Sequence, residues 1–151
     1  MKHTRDLFNE MIPLGRLIVL VNQKKDRLLS EHLSSLDITA SQFRVLCAVQ
    51  CEESVSPREL SKILSVDLGA LTRMLTRLAC KGWLERLPNP ADKRGVLLRL
   101  TPQGNAMCET CRNLVGPDLH QELTKNLTAQ EVATLEYLMK KVIAEETQET
   151  R

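Results

Sequence analysis

Apolar residues recur at intervals of three and four along Leu7, Met11, Leu14, Leu17, Ile18, Val21, Leu28 and Leu29, which predicts a helical segment reaching Leu33. Pro13 either starts the main body of that segment or kinks it. The stretch 22–27, NQKKDR, reads as its solvated face. The next helices are marked by their first residues. TASQ (39–42) is a capping box, in which the Thr hydroxyl takes a free backbone N–H and the Gln side chain reaches back. The helix it opens carries Phe43, Leu46 and Cys47 and runs to about Cys51. SPRE (56–59) is a second box with Pro57 at the first helical position, and its short helix ends near Leu64. Asp67 caps a third helix over Leu68–Lys81, which Gly82 stops. Two alternating runs, Trp83–Leu87 and Val96–Leu100, predict the strands of a hairpin, with Val96, Leu98 and Leu100 on its inner face. Thr101-Pro102 opens a long helix to about Leu123. TAQE (128–131) opens a last one carrying Val132, Leu135, Leu138, Met139 and Val142, and the final EETQETR is expected to fray.

The order is helix, helix, short helix, helix, strand, strand, helix, helix. A helix–turn–helix followed at once by a two-stranded hairpin is the plan of a winged helix-turn-helix. The expected class is therefore mainly α with one small β-hairpin.

Composition narrows this picture. With 151 residues, 42% of them hydrophobic but only one Trp, one Tyr and two Phe, the core must be aliphatic, which favours packed helices. No apolar run is long enough to cross a bilayer, and the polar start MKHTRDLFNE lacks the apolar stretch of a signal peptide, so a cytoplasmic protein is expected. Five cysteines, an odd number, argue against a disulfide framework and for reduced thiols, several of them buried. The net charge of +2 is unevenly spread. Residues 56–100 hold nine Lys/Arg against four Asp/Glu, whereas 1–55 are balanced and 101–151 hold five against eight. A basic middle between neutral and acidic ends is the footprint of one module that meets a polyanion.

The helix Leu68–Lys81 shows how. Leu68, Leu71, Leu75, Leu78 and Ala79 form one face, and Thr72, Arg73, Thr76, Arg77 and Cys80 the other. The second face offers guanidinium groups and hydroxyls without a carboxylate, which suits phosphates and guanine edges in a major groove. The hairpin tip NPADKRG (89–95) presents Lys93 and Arg94 beside it. Prolines stiffen the tip, Gly95 allows a tight return, and a basic hairpin next to a groove-entering helix reaches the neighbouring backbone or minor groove. Asp92, an acid among these cations, is expected to position Arg94 or the turn N–H groups. A merely solvated face is the alternative, but such faces usually mix acids with bases, as residues 22–31 do.

At this point the chain resembles a known family. DKRGVLLRLT fits the Asp-x-Arg…Leu-Thr wing signature of the MarR family of bacterial winged-helix regulators, and LSVDLGALTRML, CKGW, ERLPNP and DLHQELTKNLTA extend the likeness over nearly the whole chain. The resemblance implies an obligate homodimer whose first and last helices intertwine. It divides the chain into a dimerisation segment at 1–33, a DNA-binding domain at 34–100 and a second dimerisation segment at 101–151. It also implies a repressor of multidrug-resistance and efflux genes that binds a pseudo-palindromic double-stranded DNA operator. Small phenolic anions such as salicylate would release it, and no cofactor is required. Thr72 with Arg86, and Arg77 near Pro57 and Met74, match positions that hold salicylate-like anions in the family. The terminal helices support the dimer independently, because their apolar faces would be exposed in a monomer.

Cys80 shares the polar face with Arg73, Thr76 and Arg77, and nearby cations raise a thiol's reactivity, so a redox input is a second expectation. Cys108-x-x-Cys111 and Cys47-x-x-x-Cys51 fall inside predicted helices without a Cys or His partner at zinc-finger spacing, and no metal site is expected. A small thiol enzyme is the reading from another class. It lacks a nucleophile–base pair and a phosphate-binding glycine loop.

Overall fold

The three capping boxes all open helices. The computed structural model describes residues 13–144, so Leu7, Met11 and the final EETQETR lie outside the described residues. Helix α1 spans Pro13–Leu33, and a short 3-10 turn at Ser34–Leu36 follows. Helix α2 is Ala40–Glu52, α3 Pro57–Leu64 and α4 Leu68–Cys80. Strands β1 (Leu84–Asn89) and β2 (Asp92–Leu100) form the hairpin, and α5 (Pro102–Thr124) and α6 (Ala129–Ile143) complete the chain.

The reciprocal hydrogen bonds are present at Thr39/Gln42, Ser56/Glu59 and Thr128/Glu131. Asp67 and Thr101 cap α4 and α5 by accepting from Ala70 N and Gly104 N. After Lys81, Gly82 takes φ +75, a left-handed conformation that costs a glycine nothing, and the chain turns out of α4 into β1. Gly104 has a different reason to be glycine. A Cβ there would lie 1.8 Å from the Trp83 carbonyl oxygen. The first turn of α5 therefore lies directly against the base of the hairpin, where Thr101 N–H also donates to that carbonyl at 3.1 Å.

One aliphatic core joins these elements. It contains Leu29 and Leu33 of α1, Val45, Leu46 and Val49 of α2, and Leu60 of α3. Leu71, Leu75 and Leu78 of α4, Leu84, Leu98 and Leu100 of the hairpin, and Cys108, Cys111 and Val115 of α5 complete it. Truncating a fully buried leucine such as Leu78 to alanine in a core of this kind costs about 2–5 kcal/mol. Leu68, expected on the same face, is 38% exposed because it sits at the open first turn of α4.

The hairpin is longer than the alternating runs implied. Its ladder pairs Leu84 with Leu100 through Pro88 with Val96, and then Asn89 with Asp92. Lys93, Arg94 and Gly95 thus have no partners on β1, and they bulge from β2 next to the Pro90-Ala91 turn. Val96, at the edge of the bulge, is 37% exposed, so Leu98 and Leu100 alone anchor the inner face. Val55 adds a single bridge to Leu98, through Leu98 N to Val55 O at 2.8 Å. This fastens the α2–α3 loop to the wing, a link that no local pattern announces.

The two ends of the described chain are bare. Helix α6 has no buried residue. Val142 and Ile143 are 67% and 78% exposed, and Leu135, Tyr137, Leu138 and Met139 are exposed with them. The first half of α1 exposes Leu14, Leu17, Ile18, Val19, Leu20 and Val21 in the same way.

Candidate nucleic-acid interface

Residues 56–100 carry both signs of charge, and the fold separates them. Each of their acids is taken up internally. Glu59 accepts from Ser56 N–H at 2.9 Å, which holds its carboxyl below the usual carboxylate range. Asp67 caps α4 through Ala70 N–H at 2.9 Å. Glu85 pairs with Arg99 across the ladder at 2.8 Å. Asp92 accepts from the backbone N–H of Arg94 at 3.0 Å. Some cations are withdrawn too. Lys81 Nζ donates to the Asp37 carbonyl and lies 4.6 Å from the centre of the Trp83 ring, while Arg86 donates to Thr76 Oγ1 at 3.2 Å. That leaves Arg58 and Lys62 on α3, Arg73 and Arg77 on α4, and Lys93 and Arg94 on the wing, all exposed. Among the described residues none of these six side chains has a salt-bridge or hydrogen-bond partner. Unpaired guanidinium and ammonium groups on a helix face and an adjoining hairpin bulge are suited to phosphate oxygens and guanine edges.

The structure sharpens the individual roles. Thr72 and Thr76 are exposed on α4, yet their hydroxyls donate to Leu68 O at 2.7 Å and Thr72 O at 3.1 Å, so each retains acceptor capacity for a donor from outside. Asp92 acts through the backbone: its carboxylate holds the Arg94 N–H in a side-chain-closed turn, and Asn89 does the same for Ala91 N–H at 2.9 Å. Gly95 does not need a left-handed φ, because Gly82 is the one described glycine that has one. What it supplies is room: a Cβ would lie 3.2 Å from Asp92 Oδ2. Arg58 and Lys62 belong to the basic stretch, but no pattern in the sequence assigns them to a face. The first helix of a helix–turn–helix crosses the phosphate backbone, and that was the available signal.

Of the residues expected to hold a small anion, hydrogen bonds join only Arg86 and Thr72, through Thr76, and the cleft that Met74 lines includes neither Arg77 nor Pro57. Arg86 reaches from β1 to Thr76, and Thr76 in turn bonds the Thr72 carbonyl, so Arg86, Thr76 and Thr72 form one chain between wing and α4. Met74 is half-buried and lines a cleft of about 100 Å³ with Ser41, Arg44, Leu64, Val66 and Ala70. Pro57 begins α3, and Arg77 and Met74 are on α4, with no mutual hydrogen bond among them. Arg44 and Ser41, on α2, had no pattern to single them out. Cys80 is exposed at the last residue of α4.

Comparison with known proteins places this geometry. Residues 38–96 match the model of the MarR family. Over 143 residues the chain is 73% identical to the multiple antibiotic resistance protein MarR of Escherichia coli K12, covering 95% of this chain and 99% of that one. The chain belongs to the MarR family. MarR-family proteins are transcriptional regulators, not enzymes. Two solved structures of the E. coli protein superpose closely. Its C80S mutant complexed with operator DNA gives a TM-score of 0.82 at 72% identity, covering 91% of this chain and 99% of that one. Its oxidized form gives 0.84 at 69% identity over the same shares. Among the described residues no helix is long and apolar enough to cross a membrane.

Proposed function

We propose that this MarR-family chain is a cytoplasmic homodimeric repressor of multidrug-resistance and efflux genes. It binds a pseudo-palindromic operator through α4 and the wing. The six unpaired cations of α3, α4 and the hairpin bulge carry this reading, because every acid in their sequence neighbourhood is engaged elsewhere. Residues 34–100 act as the DNA-binding domain, and 1–33 and 101–151 as the dimerisation region. The bare apolar faces of α1 and α6 support that division: a 15-residue helix with no buried side chain is marginal in water and gains its stability by packing on a partner. Operator binding by the E. coli relative at 72% identity supports the DNA target.

Release follows from a small phenolic anion such as salicylate, with Arg86 and Thr72 at one site and Met74, Arg77 and Pro57 at another. Such a ligand acts only if it favours a dimer whose recognition helices are wrongly spaced. Cys80 is the redox input, and the oxidized and C80S forms solved for the relative support it.

The wing tests the reading. Replacing Arg94 by alanine removes one phosphate contact, so operator affinity falls and the slope of log K against log salt flattens by about 1. Fluorescence anisotropy with an operator duplex at several salt concentrations reads both. Unchanged affinity at every concentration would remove the wing from the mechanism.

A further inference from the structure

Two thiols outside the DNA face meet across the seam between α2 and α5. Cys47 Sγ lies 3.6 Å from Cys108 Sγ. Cys108 is fully buried, and Cys47 is only half-buried. Polar groups surround the pair. Gln50 Oε1 is 3.4 Å from Cys108 Sγ. The Arg112 guanidinium donates to Gln50 at 2.6 Å, lies 3.9 Å from Cys108 Sγ, and holds Glu109 at 2.8 Å. The second buried thiol of α5, Cys111, turns away toward Met107 Sδ at 3.7 Å.

The two sulfurs are also unlike each other. The contact with Cys108, in which either sulfur can donate, together with Arg112 brings Cys47 down to about 7 against the opposing effects of burial and Glu109. The same contact, with burial, pushes the Cys108 thiol up. An accessible, readily ionised sulfur thus faces a buried, protonated one, which is the division of labour between an attacking and a resolving cysteine.

We propose that Cys47 and Cys108 form a reversible dithiol–disulfide pair that closes on reaction with a peroxide, giving the DNA-binding domain a redox input separate from Cys80. The Cys47 thiolate attacks one peroxide oxygen. The O–O bond breaks, Cys47 becomes a sulfenic acid, and hydroxide leaves to take up the proton that Cys47 had released. The Cys108 sulfur then attacks the Cys47 sulfur. The S–O bond breaks, the S–S bond forms, and the departing hydroxyl leaves as water with the Cys108 proton. The two thiols lose two electrons, and the peroxide gains them to become two waters. Closure draws the sulfurs from 3.6 Å to about 2.05 Å and ends the Cys108 contact with Gln50. This shifts the α2–α5 packing that joins the DNA-binding domain to the helix leading out of it. The regulatory half of the proposal rests on operator binding as read above.

The test uses the full chain with Cys80→Ser, treated with hydrogen peroxide and mapped by mass spectrometry. The expected product is about 2 Da lighter and carries a link that fragmentation assigns to Cys47 and Cys108. Glu109 offers a cleavage point that separates Cys108 from Cys111. The link survives Cys51→Ser and Cys111→Ser and is lost in Cys47→Ser. Labelling of Cys47 by iodoacetamide climbs as pH rises through about 7. No link, or a link between other cysteines, overturns the pair. Oxidised Cys80→Ser protein should bind operator about fivefold or more weakly than the same protein reduced, and dithiothreitol should restore it. Equal affinity in the presence of the link overturns the regulatory half. Failure of the reduced protein to bind operator would count against the proposed function instead, because the mapping involves no DNA.

Discussion

At the scale of single residues, the wing turns on one carboxylate. Asp92 neutralises none of the tip's cations through its own charge-to-charge contacts among the described residues; it holds the Arg94 backbone and leaves the guanidinium free. Asp92→Ala should therefore loosen the bulge and weaken operator binding by roughly the value of one hydrogen bond to a charged acceptor, about 1.5–3 kcal/mol at most. Asp92→Asn, which keeps the accepting oxygen, should lose much less. Titration of both variants by anisotropy checks this, and equal affinities for Ala and the native residue would make Asp92 only a turn former. Arg86 makes the second prediction at this scale. Its guanidinium already bridges to Thr76, so Arg86→Ala should leave operator binding little changed but shift the salicylate concentration needed for half-release upward by about tenfold, the cost of one charge-assisted hydrogen bond. A native dose response would sink the site. The types of these residues were legible in the sequence. Their partners were not, because Arg86 and Thr76 meet only after β1 folds back along α4, and spacing along the chain does not encode that return.

At the scale of elements, local chemistry set most of the structure. Capping boxes, Asp67 and Gly82 fixed where helices begin and end, since each satisfies backbone groups that the helix itself cannot. The hairpin ran further than its alternating residues, because three extra residues on β2 bulge and let pairing resume at Asp92. That register depends on how Asn89 and Asp92 close their turns, which alternation does not report. The Val55 bridge and the contact of α5 with the hairpin were likewise invisible, being matters of tertiary approach. The second of these gives a prediction. Gly104→Ala places a methyl group against the Trp83 carbonyl, and the backbone cannot yield as a flexible side chain does. The variant should lose about 1–3 kcal/mol, although alanine is the better helix former. Urea denaturation measures it, and a stability gain would show that α5 and the hairpin can slide apart freely.

At the scale of the whole molecule, the unpaired cations of the basic stretch and the two largest groups of exposed apolar side chains lie on different elements. The six unpaired cations of residues 56–100 are on α3, α4 and the wing, while most of the exposed large apolar side chains among the described residues are on the first half of α1 and on α6. The sequence already carried this division as a basic middle between neutral and acidic ends. The polar lining of the thiol pair was not legible, since Cys47 and Cys108 are 61 positions apart and each looked like an ordinary core cysteine. The division leads to the central claim: two copies joined through their terminal helices present two recognition helices to one face of DNA. Selection of bound sites from a random duplex pool tests it most directly. The account predicts enrichment of inverted half-sites with centres about one helical turn, roughly 10 bp, apart, and loss of that enrichment when salicylate is present. Enrichment of a single isolated half-site, or of no sequence at all, would contradict it.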